Sequence, residues 1–370
     1  MSRLASMRVL MTTDTVGGVW SHASALAGAL ARSGAEVHLV TLGPAARADQ
    51  RAGLVGTNIH LIETDLALEW QDPDAADLER AHAVLIDLER KIRPDIVQLN
   101  SYREATFAWR APMLVVAHSC VNSWGQACND TAFLTEPRWR RYGELVAAGL
   151  AGASAWVAPT SAFGETIARL YAPPRPGVLI WNGITPALPT IVPKQMFVLA
   201  AGRMWDKAKN LAALAAVADA VPCPIHVAGS GAEPTQPHSA INLLGELPQA
   251  ELWQRMLRAA IFASPALYEP FGLSVLEAAA AGCALVLADI PTFRELWQDA
   301  AMFVVPGDVD ALRSALAWLA ADSDACVALQ RAARRRARRY DLGRMATSYA
   351  ELYLDLLGQR ASSHQIEACA

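Results

Sequence analysis

Long hydrophobic runs are missing from this sequence, although hydrophobic residues make up 53% of it. No stretch reaches the roughly 18 uninterrupted apolar residues that a membrane-spanning helix requires, and the first residues contain no run of signal-peptide length. We therefore expect a cytoplasmic protein. Its 370 residues are enough for two ordinary domains, each with a sizeable core.

A strong excess of one charge is also missing. Charged residues make up 18% of the chain and the formal net charge is -4, so the protein lacks the basic surplus that neutralises phosphates. We expect no nucleic-acid partner. Two local basic stretches, 138–150 and 331–341, are interpreted as solvated helix faces. For the first stretch the alternative is docking on anionic lipid, which would make the protein membrane-peripheral.

Metal-binding patterns are scarce. None of the six cysteines forms a CxxC pair or shows metal-ligand spacing, which favours reduced thiols over a disulfide framework or a zinc site. The Asp-x-Asp sequences at 72–74, 308–310 and 322–324 each lie at a predicted helix start, where aspartate caps backbone amides. We therefore expect neither a metal nor another cofactor.

Short β-branched runs alternate with Ala/Leu-rich helical stretches, which predicts parallel sheets with helical crossovers. Strands are predicted at 8–13, 36–43, 58–64, 95–100, 113–119, 155–161, 177–183, 196–202, 224–231, 241–247, 261–267, 284–290 and 301–306. Segment 184–194 contains three prolines and is predicted to be an interdomain linker. The pattern indicates two tandem doubly wound α/β domains, with ligands expected in the cleft between them at the carboxyl ends of strands.

Two glutamates, Glu269 and Glu277, stand eight positions apart in the segment LYEPFGLSVLEAAAAG, residues 267–282. A turn containing Glu269 follows a buried strand, and a helix begins near Gly272 with Glu277 about one turn inside it. Two carboxylates and a positive helix end match the hydroxyls and diphosphate of a sugar nucleotide. The alternative is that Glu269 only complements the helix dipole while Glu277 is a solvated surface residue.

The ordered series of motifs strongly resembles the retaining glycosyltransferases of the GT-B fold, particularly the glycogen-synthase-like family 4. The segments that carry the resemblance are DTVGGVWSHASALAGALARSGAEVHLVTLG, RPDIVQLNS, MLVVAHS, VAPTS, WNGI, AGRMWDKAKN, VAGSG, LLGELPQAELWQRMLRAA and EPFGLSVLEAAAAGCALVLADIPTFRELW. They extend over nearly the whole chain. The resemblance implies a Rossmann-like acceptor-side domain over 1–187, joined by a C-terminal helix at 343–370, and a Rossmann-like donor domain over 195–342.

The same resemblance implies roles in donor binding. Glu277 would bind the ribose hydroxyls of the nucleotide. Glu269 would bind the donor sugar, with help from the backbone amides of Phe271, Gly272 and Leu273.

Arg203 and a lysine would hold the diphosphate and cancel the charge of the leaving group. The family usually places this lysine about five residues after the arginine and before Gly or Asn. Here Lys207 stands four and Lys209 six residues after Arg203. Because Asn210 follows Lys209, the sequence favours Lys209, while Lys207 stays open.

In the first domain, His118 ends the apolar strand 113–119 and matches the family's active-site histidine. The alternative is a structural role. We assign structural roles to the other histidines: His22, His38, His60, His82, His226, His238 and His364.

The remaining candidates surround the first strand and a later loop. Gly17 and Gly18 follow the first strand and open a helix, where their small size lets the backbone approach a phosphate or an acceptor. Asp14 and Trp20 flank this glycine loop and are acceptor candidates, although Trp20 could equally pack at the helix start. Trp124 could stack on an acceptor sugar ring or merely pack.

The implied activity is transfer of a hexosyl group from a nucleoside diphosphate sugar to an acceptor hydroxyl, without a metal and with retained anomeric configuration. The acceptor would be a glycan, a lipid-linked sugar or a small molecule, and neither it nor the choice of UDP-sugar or GDP-mannose as donor can be read from side chains. Two alternatives stay open: a sugar-nucleotide epimerase, and a catalytically inactive protein of the same fold that binds sugar nucleotides.

Overall fold

The chain divides into two compact units in a computed structural model that describes residues 4–185, 192–231 and 241–369. Unit 1 contains Met1–Gly183 and Leu342–Ala370, and unit 2 contains Ile184–Asp341. Of the predicted linker at 184–194, residues 186–191 lie outside the described part.

Each unit is built on one parallel sheet. In unit 1 the seven strands are β1 (Arg8–Asp14), β2 (Glu36–Leu42), β3 (Ile59–Glu63), β4 (Ile96–Leu99), β5 (Met113–Val116), β6 (Ala155–Ala158) and β7 (Val178–Leu179). In unit 2 the six strands are β8 (Gln195–Ala201), β9 (Ile225–Ala228), β10 (Ile241–Gly245), β11 (Ala259–Ser264), β12 (Ala284–Ala288) and β13 (Met302–Val304). The strand order is β3-β2-β1-β4-β5-β6-β7 in the first sheet and β10-β9-β8-β11-β12-β13 in the second. In both sheets the chain starts in the interior, moves to one edge and then returns past its first strand, which is doubly wound topology.

Helices connect these strands. Along the chain they are α1 (Gly18–Arg32), α2 (Ala48–Ala52), α3 (Leu78–Ile92), α4 (Val121–Ala127), α5 (Ala132–Thr135), α6 (Pro137–Gly152), α7 (Ser161–Tyr171), α8 (Leu211–Val217), α9 (Gln249–Arg258), α10 (Leu273–Ala280), α11 (Pro291–Trp297), α12 (Val309–Ala321), α13 (Ser323–Ala337) and α14 (Leu342–Cys369). Short 3-10 turns lie at Arg103–Thr106, Lys207–Lys209 and Ala218–Ala220.

The predicted α/β class with two parallel sheets is confirmed, and every predicted strand segment overlaps a strand of the structure. Several predicted segments run past the true strand end. Segment 113–119 contains β5 only up to Val116, and segment 177–183 contains only the two residues of β7. The apolar pattern continues into the loops at the carboxyl ends of the strands because those loops also pack against the core, so periodicity alone does not mark where pairing stops.

The last helix belongs to the core of unit 1. Tyr349 and Tyr353 of α14 are fully buried in the same hydrophobic cluster as Leu26 of α1 and Val9 of β1. The Tyr353 hydroxyl donates a hydrogen bond of 2.5 Å to Oε1 of buried Gln98 in β4. Because α14 is far from α1 in sequence, its packing joins the two chain segments of unit 1 in one hydrophobic core.

Two of the three Asp-x-Asp sequences cap helices as predicted. Asp308 accepts a hydrogen bond from the Ala311 N–H at the start of α12, and Asp322 accepts one from the Ala325 N–H at the start of α13. For 72–74 the predicted capping of backbone amides is confirmed, but the predicted helix start is wrong. Asp72 accepts hydrogen bonds from the Ala76 and Asp77 N–H groups at 2.9 and 3.0 Å and pairs with Arg103 at 2.8 Å, but it lies six residues before α3, where a separate turn precedes the helix.

Among the described residues, no helix combines the length and the apolar character needed to cross a membrane. The basic stretch 138–150 lies within α6, and its larger apolar side chains Trp139, Tyr142 and Leu145 are buried in unit 1. The apolar side of this helix is therefore used for packing within the unit.

Candidate functional site

An ion pair in unit 2 joins the turn that follows β8 to the turn that follows β11. Lys209 Nζ donates to Glu269 Oε2 at 2.5 Å, and the two side chains are only 19% and 15% exposed. The backbone holds the turns together as well, since the Leu267 N–H donates to the Ala208 carbonyl. β8 and β11 are neighbours in a parallel sheet, so both turns lie at its carboxyl edge, where such sheets bind ligands.

The two candidate lysines have different surroundings. Lys207 is exposed, whereas the alkyl chain of Lys209 lies over Gly202, where a Cβ atom would be 3.4 Å from its carbons. Arg203 follows this glycine directly. The side chain of Lys209 therefore packs over Gly202, next to Arg203, and reaches Glu269, whereas Lys207 is exposed.

Arg203 extends from the end of β8 and is 36% exposed. Its Nη2 donates to Asp206 Oδ2 at a long 3.4 Å, and its guanidinium carbon lies 5.5 Å from the ring centre of Trp205. A guanidinium that is held loosely and is partly open to solvent can still bind an anion with several of its donors.

The turn after β11 requires a glycine at position 272. Gly272 has φ +85° and caps α10, and a Cβ atom there would meet Phe293 at 3.0 Å and Glu269 Cγ at 3.3 Å. The Thr292 hydroxyl donates to the Glu269 carbonyl at 2.6 Å and fixes the turn from the other side. Glu269 is therefore positioned by close packing on both sides of its own backbone.

The amino end of α10 is anchored by its aromatic neighbour. Phe271 is buried and packs edge-on against Tyr340, with ring centres 5.8 Å apart. The first N–H groups of a helix have no partner inside it and carry partial positive charge. The backbone from Phe271 to Leu273 can thus present fixed donors to an anion.

Glu277 lies on the fifth residue of α10 and is half-buried. Its Oε1 accepts a hydrogen bond of 2.8 Å from Nε2 of Gln249, the first residue of α9. Burial raises the pKa of this carboxyl to about 7, and the bond from Gln249 only partly opposes the rise. Glu277 is therefore not the solvated surface residue of the alternative interpretation. The sequence interpretation gave Gln249 no role, although it lies in the motif segment LLGELPQAELWQRMLRAA.

In unit 1, His118 stands two residues after β5 and is tied to the end of β4. Its Nε2 lies 2.8 Å from Asn100 Oδ1, while Asn100 Nδ2 donates to the Thr12 carbonyl at 2.6 Å. The second bond orients the amide so that its oxygen faces His118, which assigns the proton to Nε2 and leaves Nδ1 as an acceptor. Burial, and then neighbouring His22, hold the pKa of His118 well below its usual value, so the ring is neutral at pH 7.

His22, to which the sequence assigned a structural role, lies beside His118. The two rings meet edge-to-face with centres 4.6 Å apart. His22 is buried, and burial lowers its pKa to about 4, with the Asn182 side chain opposing the shift. The sequence did contain one indication of this position. His22 lies four residues after Gly18 in α1, and residues four apart share a helix face.

The glycine loop after β1 starts α1 close to these groups. Gly17 has φ +82°, which favours glycine, and Gly18 is the first residue of α1. Asp14 ends β1 and accepts a hydrogen bond of 3.0 Å from the Val16 N–H. Asp14 and Asn100 both border a cavity of about 40 Å³ at the carboxyl edge of the sheet.

Two family models match the chain, and together they span most of it. Residues 16–188 match the model described as Glycosyltransferase Family 4, and residues 193–336 match the model described as Glycosyl transferases group 1. The chain belongs to the group 1, family 4 glycosyltransferases. The resemblance inferred from the ordered motifs is thereby confirmed.

A curated protein with similar sequence matches only part of this glycosyltransferase. The lipopolysaccharide core biosynthesis mannosyltransferase LpcC of Rhizobium leguminosarum is 34% identical over 125 residues, which are 33% of this chain and 35% of that protein. The match therefore covers only about a third of the length of either protein.

Solved structures share the fold with low sequence identity. The sucrose-phosphate synthase of Thermosynechococcus elongatus aligns with a TM-score of 0.78 at 18% identity, covering 95% of this chain and all of that chain. Anabaena HepE in complex with UDP and glucose aligns with a TM-score of 0.74 at 16% identity, covering 94% and 100%. These neighbours confirm the two-domain GT-B fold.

The two tryptophan candidates of the glycosyltransferase differ in exposure. Trp20 is only 7% exposed and belongs to the hydrophobic core of unit 1, which favours the packing alternative. Trp124 on α4 is half-buried and packs edge-on against Phe133, with ring centres 4.9 Å apart. Trp124 therefore retains surface that Trp20 lacks.

A further carboxylate was missed by the sequence interpretation. Glu69 borders the same small cavity as Asp14, and its Oε2 accepts hydrogen bonds of 3.0 Å from the N–H groups of Tyr102 and Arg103. Burial, and then the Glu104 carboxylate, raise the pKa of Glu69. Glu69 lies in an irregular loop that no motif marks, so only the folded chain brings it to this edge of the sheet.

Proposed function

We propose that this protein is a metal-independent, retaining hexosyltransferase that moves a hexosyl group from a nucleoside diphosphate sugar to an acceptor hydroxyl. The observation that carries the proposal is the Lys209–Glu269 ion pair beside the amino end of α10. It brings a cation, a carboxylate and helix amides to one place, which are the groups that a sugar diphosphate requires.

Unit 2 is the proposed donor-binding unit. Arg203 and Lys209 bind the diphosphate, assisted by the amides at the start of α10, and Glu277 accepts from the ribose diol. When the diphosphate binds, it takes over part of the charge that Lys209 now shares with Glu269. The Glu269 carboxylate then accepts from hydroxyls of the donor sugar. The two cations and the helix end supply the positive charge for which some other glycosyltransferases use a metal ion.

The reaction breaks the bond between the anomeric carbon and the diphosphate oxygen and forms a bond from that carbon to the acceptor oxygen on the same face. The acceptor proton passes to the departing diphosphate. We propose that neutral His118 acts near the donor sugar, where its Nδ1 accepts a hydrogen bond while Asn100 holds the ring. The backbone at Gly17 and Gly18 is proposed to contact the donor, and Asp14 and Trp124 are proposed to contact the acceptor.

The proposed substrate class agrees with what similar proteins bind or transfer. LpcC is named as a mannosyltransferase, and the HepE structure contains UDP and glucose. A glycan or a lipid-linked sugar is accordingly our proposed acceptor, and UDP- and GDP-hexoses are the first donors to test.

The test is a thermal-shift screen of UDP-, GDP-, ADP- and dTDP-hexoses with and without a chelator, followed by product analysis. A donor at about one hundred times its dissociation constant adds about 2.7 kcal/mol of stability. We expect one donor to raise the melting temperature equally in both conditions, and the variant Glu277→Ala to lose the response. The matched control Glu251→Ala changes an exposed glutamate of the same unit and should keep it.

Other results would decide against parts of the proposal. A response that disappears with chelator would contradict metal independence. If Glu277→Ala and Glu251→Ala both lose the donor-induced rise in melting temperature, the loss is not specific to Glu277 and its assigned role is contradicted. A donor that binds but is neither transferred nor hydrolysed would indicate an inactive binding protein, and conversion of the donor to an epimer without acceptor would indicate an epimerase.

A further inference from the structure

Three side chains on unit 1 converge at the amino end of its sheet, away from the site described above. In the parallel pairing of β2 with β3, His38 stands opposite His60. Glu36 is two residues before His38 in β2, so both project from the same face of the strand. Within the described residues, this is the only group of three or more His, Cys, Asp or Glu side chains close enough to share a metal ion.

The three side chains meet at one carboxylate oxygen. Glu36 Oε1 lies 2.9 Å from His38 Nε2 and 3.5 Å from His60 Nε2. The imidazole rings stack with centres 4.8 Å apart and an angle of 21° between their planes. The ligand atoms all lie within 4.8 Å of one another.

We propose that Glu36, His38 and His60 form a binding site for a divalent zinc-like cation. Donor atoms that bind zinc tetrahedrally at about 2.0–2.1 Å lie about 3.3 Å from one another, and the two distances to Glu36 bracket this value. Two imidazole nitrogens and one carboxylate are ligands that suit zinc and its transition-metal neighbours better than magnesium or calcium. His60 is exposed, so a water molecule can complete the coordination.

The surroundings set a limit on affinity. Arg8 stands opposite Glu36 on β1, and its guanidinium donates to the Ile92 carbonyl at 2.8 Å. This neighbouring cation disfavours a bound metal, and the site holds only one carboxylate. We therefore expect micromolar rather than nanomolar affinity for zinc.

The position of the site indicates a structural role. Glu36 and His38 lie at the start of β2 and His60 at the start of β3, whereas Asp14 is the last residue of β1 and Gly17 follows it. In a parallel sheet these two ends are separated by the strand length, about 20 Å for seven residues. A metal would join β3, which is an edge strand, to β2 and would stabilise unit 1 without entering the transfer reaction.

The test uses the full chain with any affinity tag removed, titrated with zinc chloride by calorimetry. We expect one equivalent to bind and to raise the melting temperature, whereas magnesium does neither. His60→Ala and Glu36→Gln should each weaken zinc binding at least about tenfold. The matched control His82→Ala removes another exposed histidine of unit 1 and should bind zinc like the wild type.

Cobalt substitution distinguishes this site from cysteine-based binding. The visible spectrum of the cobalt-loaded chain should show nitrogen and oxygen ligation without thiolate charge-transfer bands, and it should be lost in His60→Ala. The proposal is overturned if the wild type binds no zinc, if His60→Ala and Glu36→Gln both bind as tightly as the wild type, or if thiolate bands appear. None of these outcomes bears on donor binding by unit 2, which is tested separately.

Discussion

Glu277 combines burial with a single neutral hydrogen-bond partner, and this combination affects the stability of the unliganded protein. The folded pKa of about 7 lies above the ordinary value of 4.5. Between these values the folded state holds a proton that the unfolded state has released, so the free energy of unfolding falls as pH rises through this window. Above about pH 7 the buried carboxylate is charged in the folded state, and the full cost of desolvating this charge lowers the free energy of unfolding.

We predict that Glu277→Gln stabilises the unliganded protein at about pH 8 by about 1–3 kcal/mol and has little effect at about pH 4.5. The amide has the same shape but carries no charge to desolvate. Denaturant unfolding at the two pH values measures the difference. The same variant should lose donor binding. A variant equally destabilised at both pH values would instead show that Glu277 acts as an ordinary packing residue.

The two lysines after β8 provide a comparison at one turn. We predict that Lys209→Met lowers kcat/KM for transfer by about 10²–10³-fold, because it removes a cation from the departing diphosphate. Because the Lys207 side chain is exposed, Lys207→Met should change kcat/KM by less than about threefold. Steady-state kinetics with the identified donor decide between them. The reverse order of effects would reassign the diphosphate to Lys207.

At the scale of elements, the start of α10 depends on one glycine. Gly272 and Gly307 have nearly the same φ, +85° and +87°, but a Cβ atom at 272 would meet Phe293 whereas nothing lies within 4 Å at 307. An alanine at either position is strained by about 1–2 kcal/mol. Only the substitution at 272 adds a steric contact beside Glu269.

We therefore predict that Gly272→Ala destabilises unit 2 by about 1 kcal/mol more than Gly307→Ala and also weakens donor binding. Chemical denaturation measures the first difference and the donor thermal shift measures the second. Equal losses of stability with intact donor binding in both variants would mean that backbone strain alone accounts for Gly272.

The elements themselves were largely predictable from sequence. The strands and the helix of Glu277 appear where the hydrophobic pattern places them, because burial on a sheet and on a helix face imposes different periods. The ends were less predictable. His118 was expected to close a strand, yet β5 stops at Val116, since pairing with β6 and not apolar character determines where β5 ends. Asp72 caps backbone amides as expected, but those amides belong to a separate turn, so α3 begins six residues later than the aspartate.

At the scale of the whole molecule, unit 1 is completed by the last helix. Tyr353 is fully buried and bonded to Gln98, whereas Glu351 on the same helix is exposed. We predict that Tyr353→Ala lowers the stability of unit 1 by about 3–5 kcal/mol, while Glu351→Ala changes it by less than about 0.5 kcal/mol. Differential scanning calorimetry of both variants provides the measurement. A Tyr353→Ala variant that melts like the wild type would refute this account of α14.

By itself, the sequence determined the α/β class, the family and most of the candidate site. Local patterns and ordered motifs carry that information, because hydrophobic period, glycine at positive φ and helix starts depend on near neighbours. Only the tertiary structure decided that Lys209 pairs with Glu269, that His22 and Asn100 flank His118, and that His38 meets His60. Each of these contacts joins residues 18 to 96 positions apart through strand order and register, and no local pattern specifies which strands become neighbours.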